Sequence, residues 1–128
     1  MPDKKDSKAE QATQDLQDLR GLVTALNRIQ AVIEFDLEGI VLHANENFLG
    51  VVGYSLGEIV GKHHSLFCEE SYASSAEYVS FWKKLGKGEF DAGEYKRLGK
   101  GGKEVWIQAS YNPIFDMNGK VTKVVKFA

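Results

Sequence analysis

The side chains best suited to chemistry in this 128-residue chain are three histidines and one cysteine, and three of these four lie close together. His63 and His64 are adjacent, and Cys68 lies four residues after His64. Nucleophilic catalysis needs a nucleophile, a base and a group that orients the base, and no GxSxG segment supplies that arrangement. A small enzyme using His64 with Glu69 or Glu70 is one alternative, but the sequence favours a protein that is not an enzyme.

A metal or cofactor site is the second kind of chemistry that these residues allow. Adjacent side chains in extended chain point to opposite sides, so at most one of His63 and His64 enters a given pocket. A closed zinc site needs about four ligands, whereas a heme iron needs only one axial histidine and an apolar cavity. The alternative is a histidine that hydrogen-bonds the backbone near a helix end, and composition alone favours it.

Composition and charge narrow the class of protein. The chain is 43% hydrophobic and 27% charged, which is typical of one globular domain. Its net charge of −2 argues against nucleic-acid binding. No apolar run approaches the roughly 18 residues of a membrane span, and the charged segment 1–10 lacks the apolar centre of a signal peptide.

The first 30 residues predict an amphipathic helix. Ser7 and Glu10 have the spacing of a capping box, which indicates a helix start. An apolar seam follows at spacings of four and three residues, formed by Ala12, Leu16, Leu19, Val23 and Leu26. Such a helix needs a partner, which is either the core of its own domain or a second copy of the helix.

The pattern after residue 30 predicts an α+β fold. Five strands are expected at 31–37, 40–44, 90–98, 104–115 and 120–127, with short helices between the second and third strands. Ser71 or Ser74 is expected to begin the longest of these helices. Because the strand connections resemble hairpins, we expect an antiparallel sheet with the helices over one face and a cavity between them.

Several short motifs occur in an order that resembles a PAS domain. They are Ile33–Gly39, Ala44–Phe48, Gly53-Tyr54, Glu58–Gly61, Trp106–Pro113, Asp116, Gly119 and Val124–Phe127. Four further pairs resemble the PAS modules of bacterial methyl-accepting chemotaxis and aerotaxis transducers in particular: His63-His64, Phe81-Trp82, Gly88-Glu89 and Lys96-Arg97. The resemblance covers residues 31–128 and implies a five-stranded antiparallel PAS fold that senses oxygen, redox state, light or a small ligand.

The resemblance gives opposite indications about flavin binding for two classes of PAS domain. In light-sensing flavin PAS domains a reactive cysteine takes the place of His64 and a flavin-binding asparagine that of Ile107, so no photoadduct is expected here. Aerotaxis receptors that bind FAD share a histidine at the position of His64 and a tryptophan at that of Trp82. Their next motif, however, differs from residues 68–71 of this chain.

The resemblance also implies a candidate heme site. One type of heme PAS domain in chemoreceptors places its iron ligand where His63 and His64 lie, although residues 120–128 lack the tryptophan of that type. The alignment turns His64 inward and implies it as the iron ligand. The other implied cofactor-binding residues are His63, Trp82 and an apolar strand face of Val105, Ile107, Ala109 and Tyr111. The resemblance favours heme b slightly over FAD. A pocket without a cofactor agrees with the sequence about as well as either of these.

The function implied by the resemblance is that of a cytoplasmic sensory module of a chemotaxis-type transducer. Residues 31–128 are expected to form the sensor domain, and residues 1–30 a linking helix that pairs in a homodimer. The partner is a separate output domain of the same receptor. A cofactor-free PAS module for dimerisation or protein interaction is the alternative. Because the family continues past the position of Ala128, we expect this chain to be part of a longer protein.

Overall fold

The computed structural model describes residues 4–128, with side chains from residue 7 onward. Residues 1–3 of the predicted N-terminal helix lie outside this range. The described helices are α1 Lys4–Ile29, α2 Glu46–Val52, α3 Leu56–Ile59, α4 Glu70–Ala73 and α5 Ala76–Gly86. The described strands are β1 Val32–Phe35, β2 Val41–Ala44, β3 Asp91–Leu98, β4 Glu104–Phe115 and β5 Val121–Phe127. Short 3-10 turns occupy His64–Phe67 and Lys100–Gly102.

The described strands form one antiparallel sheet in the order β2-β1-β5-β4-β3. Strand β5 lies at its centre, between β1 and β4. Tyr111 on β4 lies opposite Lys126 on β5, and Lys126 lies opposite Ile33 on β1. Residues directly opposite each other share a face of the sheet, so these three side chains lie on one face, which we call the inner face. The sheet confirms the predicted five-stranded antiparallel fold.

The short helices α2, α3 and α5 cover the inner face because each of them contributes large apolar side chains to the same core, whereas α4 has no buried residue. The buried residues of this core include Phe48 and Val52 of α2, Ile59 of α3, Tyr78, Phe81 and Leu85 of α5, and Ile33, Phe35, Tyr111 and Val124 of the sheet. Burial of this apolar area is the main driving force for packing the helices against the strands.

Local side-chain caps set where the short helices begin. The side chain of Asn45 accepts a hydrogen bond from the Phe48 N–H at 3.0 Å and starts α2. Helix α5 begins after Ser75, whose hydroxyl oxygen accepts from the Tyr78 N–H at 3.2 Å. The predicted start at Ser71 or Ser74 is therefore wrong, because residues 70–73 form the separate helix α4.

Helix α1 begins at Lys4, so Ser7 lies inside it and the predicted start at Ser7 is wrong. The lysine, alanine, glutamate and glutamine residues around Ser7 favour helix and extend it toward the N-terminus. The C-terminal end is held by Asn45, whose Nδ2 donates to the Gln30 carbonyl at 2.8 Å. No described helix is both long and apolar enough to cross a membrane.

The apolar seam of α1 is exposed. Its large side chains are 41–59% exposed, namely Leu16, Leu19, Val23 and Leu26. The alternative in which this seam packs into the core of its own domain is therefore wrong.

Candidate functional site

His64 lies at the start of the 3-10 turn that joins α3 to α4. Its backbone N–H donates to the Gly39 carbonyl at 2.8 Å, which fixes the turn against the β1–β2 hairpin. His63 caps the same turn, because its Nδ1 accepts from the Ser65 N–H at 3.0 Å. The two adjacent histidines therefore diverge: His64 is fully buried, whereas His63 is half-buried.

Both ring nitrogens of His64 bond to tyrosine hydroxyls. Nδ1 lies 2.7 Å from Tyr78 Oη on α5, and Nε2 lies 3.0 Å from Tyr111 Oη on β4. Tyr111 Oη also accepts from Arg97 Nε at 3.3 Å and Arg97 Nη2 at 3.1 Å. These bonds use both lone pairs of the hydroxyl, so its hydrogen donates to His64 Nε2, and the hydrogen of His64 is assigned to Nδ1. We call Tyr78, His64, Tyr111 and Arg97 the polar network.

Aromatic rings fill the space around His64. Six ring centroids lie 5.2–6.2 Å from that of His64, belonging to Phe35, Phe67, Tyr78, Phe81, Trp82 and Tyr111. The ring centroids of Phe81 on α5 and Tyr111 on β4 are 4.9 Å apart, so helix and sheet touch directly. Side chains therefore fill the cavity that was expected between the sheet and the helices at this point.

Burial also sets the protonation states of the groups around His64. It lowers the pKa of His64 well below the usual 6.5, and the positive charges of Arg97 and Lys126 lower it further. Burial raises the pKa of the Cys68 thiol, whose Sγ lies 3.6 Å from His64 Nδ1. At neutral pH the imidazole and the thiol are both uncharged, and Cys68 lacks the thiolate character of a reactive cysteine.

Two cationic side chains, Arg97 on β3 and Lys126 on β5, are buried on the inner face with 3% and 2% exposure. Neither was predicted as a site residue, because charged side chains in strands are usually exposed. The alternation along β5 contains the signal that locates Lys126: Val124 is fully buried, and side chains two residues apart share a face. Lys126 Nζ lies 4.9 Å from the ring centroid of Tyr111 and 5.7 Å from that of Phe48.

Trp82 and His63, two of the predicted cofactor-binding residues, lie on the helical side of the site. The ring centroid of Trp82 lies 5.4 Å from that of His64, and that of His63 lies 6.2 Å from Trp82. The indole Nε1 of Trp82 is buried and finds no hydrogen-bond partner among the described residues. Trp82 therefore packs directly against the His64 ring, whereas the ring of His63 packs against Trp82 and Tyr78.

The predicted strand face of β4 is only partly brought to His64. Tyr111 belongs to the core around His64, whereas Ile107 and Ala109 are buried but lie outside that contiguous core. Val105, near the start of the strand, is half-buried. Trp106 is 64% exposed and points away, as the alternation predicts.

A heme held by His64 does not fit this packing. An iron ligand needs a free imidazole nitrogen, but both nitrogens of His64 bond to tyrosine hydroxyls. A flavin does not fit between the sheet and α5 either, because the rings of Phe81 and Tyr111 are in contact there. The described residues also contain no group of three His, Cys, Asp or Glu side chains that could hold a metal ion.

The acid–base pair of the enzymatic alternative is not formed. Glu69 makes an ion pair with Lys96 near the surface, and Glu70 is exposed. The ring nitrogens of His64 contact tyrosine hydroxyls and the Cys68 thiol instead. Among the side chains that the structure describes, His64 therefore has no carboxylate partner for general acid–base catalysis.

The sequence pattern of the PAS fold matches residues 41–128. Together with the five-stranded sheet and its covering helices, this match shows that the chain belongs to the PAS fold family. A light-oxygen-voltage domain of known structure superposes with a TM-score of 0.69, covering 84% of this chain and 82% of that one. Its sequence is 23% identical, so this likeness shows the fold alone.

The relatives that are similar in sequence include two bacterial proteins. The biofilm dispersion protein BdlA of Pseudomonas aeruginosa is 44% identical over 111 residues, which is 87% of this chain and 27% of BdlA. The aerotaxis receptor of Escherichia coli is 32% identical over 87 residues, which is 68% of this chain and 17% of the receptor. The chain thus spans less than a third of either relative. The predicted resemblance to PAS modules of chemotaxis and aerotaxis transducers is confirmed.

Proposed function

We propose that this chain is the cytoplasmic sensory module of a chemotaxis-type transducer, and that it binds a small ligand at the polar network. The similarity to an aerotaxis receptor supports the class of transducer. The main support for this location of the binding site is the hydrogen-bonded group of His64, Tyr111 and Arg97, which is buried between the sheet and the helices.

The polar network is suited to sensing because it joins separate elements by exchangeable hydrogen bonds. His64 lies on the 3-10 turn and Tyr78 on α5, whereas Tyr111 and Arg97 lie on the sheet. A ligand that replaces the hydrogen bond from Tyr111 to His64 loosens the helices from the sheet at that point. Such a change favours one of two packing arrangements, which is how a binding event alters distant elements.

Strand β5 links this site to α1 and gives the signal a route. Lys126 packs on Tyr111, and two residues later the Ala128 N–H donates to the Ala31 carbonyl at 2.9 Å. Ala31 lies two residues after the end of α1. We therefore assign residues 31–128 to the sensor domain and residues 1–30 to a helix that relays its state to a separate output domain of the same receptor.

The exposed seam of α1 is proposed to pair with the same helix of a second copy. Its side chains repeat at the spacing of a coiled coil, and the described part of the chain leaves them uncovered. Light scattering after gel filtration tests this pairing. Leu19→Asp with Val23→Asp is expected to give monomers, whereas the matched pair Gln17→Asp with Thr24→Asp, on another face of the helix, stays dimeric. Monomers in the unsubstituted protein contradict the proposal.

Ligand binding is tested by amide NMR with three small probes, which are acetate, acetamide and imidazole. We expect at least one probe to shift the amide signals of His64, Arg97 and Tyr111, and we expect Tyr111→Phe to weaken that response. If no probe shifts these signals, the chain is instead the cofactor-free interaction module of the alternative. An absorption spectrum of the freshly purified protein adds an independent check, because a Soret or flavin band contradicts the packing around His64.

A further inference from the structure

Among the described side chains, Arg97 and Lys126 are buried cations without an acidic partner. The ion pairs of the described residues all use other cations: Lys84 with Asp91, Lys96 with Glu69 and Glu104, Lys100 with Glu58, and Lys123 with Glu34. No carboxylate of the described side chains lies within ion-pair distance of either buried cation. Buried charges in proteins are normally paired or bound to a counter-ion, so two buried cations on one face of the sheet are suited to an anionic group.

The two cations converge on Tyr111 from neighbouring strands. Arg97 Nε and Nη2 donate to Tyr111 Oη, and Arg97 Nη1 donates to the Lys96 carbonyl at 3.0 Å. Lys126 Nζ lies over the ring of Tyr111, with a further aromatic contact to Phe48. Five N–H groups of the guanidinium and three of the ammonium exceed the acceptors that surround them. Both cations therefore retain donors for an anionic group.

Charge repulsion between the two cations adds to the cost of burial. Burial, and next the positive charge of Arg97, lowers the pKa of Lys126 to about 7. An anion between the two groups replaces that repulsion with two attractive contacts. Arginine is well suited to the task, because its planar fork donates two parallel hydrogen bonds to a carboxylate.

One of the two cations forms the floor of a surface cleft. The cleft has a volume of about 300 Å³ and is lined by Glu69, Tyr72, Glu94, Tyr95, Lys96 and Arg97. The guanidinium lies 4.9 Å from the ring centroid of Tyr95 and 5.7 Å from that of Tyr72. These rings offer apolar walls beside a cationic floor. Of the two acids at the rim, Glu69 is neutralised by Lys96, and Glu94 is exposed.

We propose that Arg97 and Lys126 bind the carboxylate group of a small anionic ligand that enters through this cleft. The inference rests on the proposed function and specifies the ligand class for that site. The carboxylate contacts the two cations beside Tyr111, and the remainder of the ligand lies against Tyr72 and Tyr95. Binding changes the surroundings of the Tyr111 hydroxyl, which is the link between Arg97 and His64.

The test compares acetate with its neutral isostere acetamide, with chloride and with inorganic phosphate. The three anions are added as sodium salts, and all samples have the same ionic strength. Binding is followed by amide NMR of the whole chain. We expect acetate to shift the amide signals of Arg97, Tyr111 and Lys126, with at least tenfold weaker binding in Arg97→Gln and Lys126→Met. The exposed Lys103→Met variant serves as the matched control and binds acetate as the unsubstituted protein does.

The outcomes separate the ligand class from the proposed function. Binding of acetamide at these residues without acetate binding, or of imidazole in the three-probe experiment above, overturns the anion site and leaves a ligand-binding sensor in place. Binding of phosphate or chloride without acetate binding overturns the carboxylate assignment. No binding of any probe overturns both proposals. Because Lys126→Met replaces a buried cation with an apolar side chain of similar length, it remains folded for this measurement even where Arg97→Gln does not.

Discussion

The inner face of the sheet buries Arg97 and Lys126, whereas the opposite side of the molecule exposes Trp106 and the apolar seam of α1. Stability alone favours the reverse distribution, with apolar groups inside and charges outside. These two departures are the observations on which the proposed ligand site and the proposed helix pairing rest. The inner side suits a small polar ligand, and the outer side suits another protein surface.

Among the substitutions that test this comparison, Tyr111→Phe is expected to have the largest effect on the free energy of unfolding. Loss of one hydroxyl leaves His64 Nε2 and two N–H groups of Arg97 without their partner in a buried site. We expect the free energy of unfolding to fall by about 3 kcal/mol, since each unsatisfied buried group costs roughly 1–3 kcal/mol. Urea denaturation measures it, with Tyr54→Phe as the matched control. Equal stability of the two variants contradicts a buried network at Tyr111.

A pH dependence of intermediate size is expected from Lys126. Its folded pKa of about 7 lies below the ordinary value of 10.5, so the unfolded chain binds more protons between these values. Stability therefore rises with pH in this window, by about 1.5 kcal/mol between pH 7 and pH 8.5, below the range in which phenols ionise. Denaturation curves of Lys126→Met are expected to lack this rise, whereas Lys103→Met keeps it. A rise of equal size in Lys126→Met contradicts the burial of the ammonium.

The smallest effect is expected on the outer side. Trp106 is 64% exposed, so Trp106→Ser removes few packed contacts. We expect the free energy of unfolding to change by less than about 0.5 kcal/mol, as is usual for surface substitutions. A loss of more than about 1 kcal/mol in urea denaturation shows that this side is covered, and it removes the contrast between the two faces.

The strand and hairpin pattern was sufficient to predict the sheet, because alternation and turn residues act over short distances. The same alternation turned Trp106 outward and Tyr111 inward. Helix starts were less predictable, since several serines compete: Ser75 caps α5, and Ser7 lies inside α1. Local sequence identifies a serine as a potential cap but does not decide which one adopts extended backbone at the helix end.

The site was predicted only in part. The inward direction of His64 followed from the resemblance to other PAS domains, but its two tyrosine partners come from residues 14 and 47 positions away. Sequence spacing cannot show such pairings before the strands and α5 are assembled. The prediction of a cavity at this point was wrong for the same reason. The contact between Phe81 and Tyr111 that fills it depends on how α5 packs on the sheet.

The ring nitrogens of His64 report most directly on the central claim, that a buried polar network occupies the interior of this domain. An NMR spectrum of protein with ¹⁵N-labelled histidine, recorded at about pH 6 and assigned with His64→Gln, observes them. The lowered pKa of His64 predicts a neutral ring at this pH. The hydrogen bonds of Tyr111 Oη predict that the ring hydrogen is on Nδ1 and that the Nε2 signal moves in Tyr111→Phe. The claim is contradicted if both nitrogens of the His64 ring carry a proton at pH 6. It is also contradicted if the Nε2 signal has the same position in Tyr111→Phe as in the unsubstituted protein.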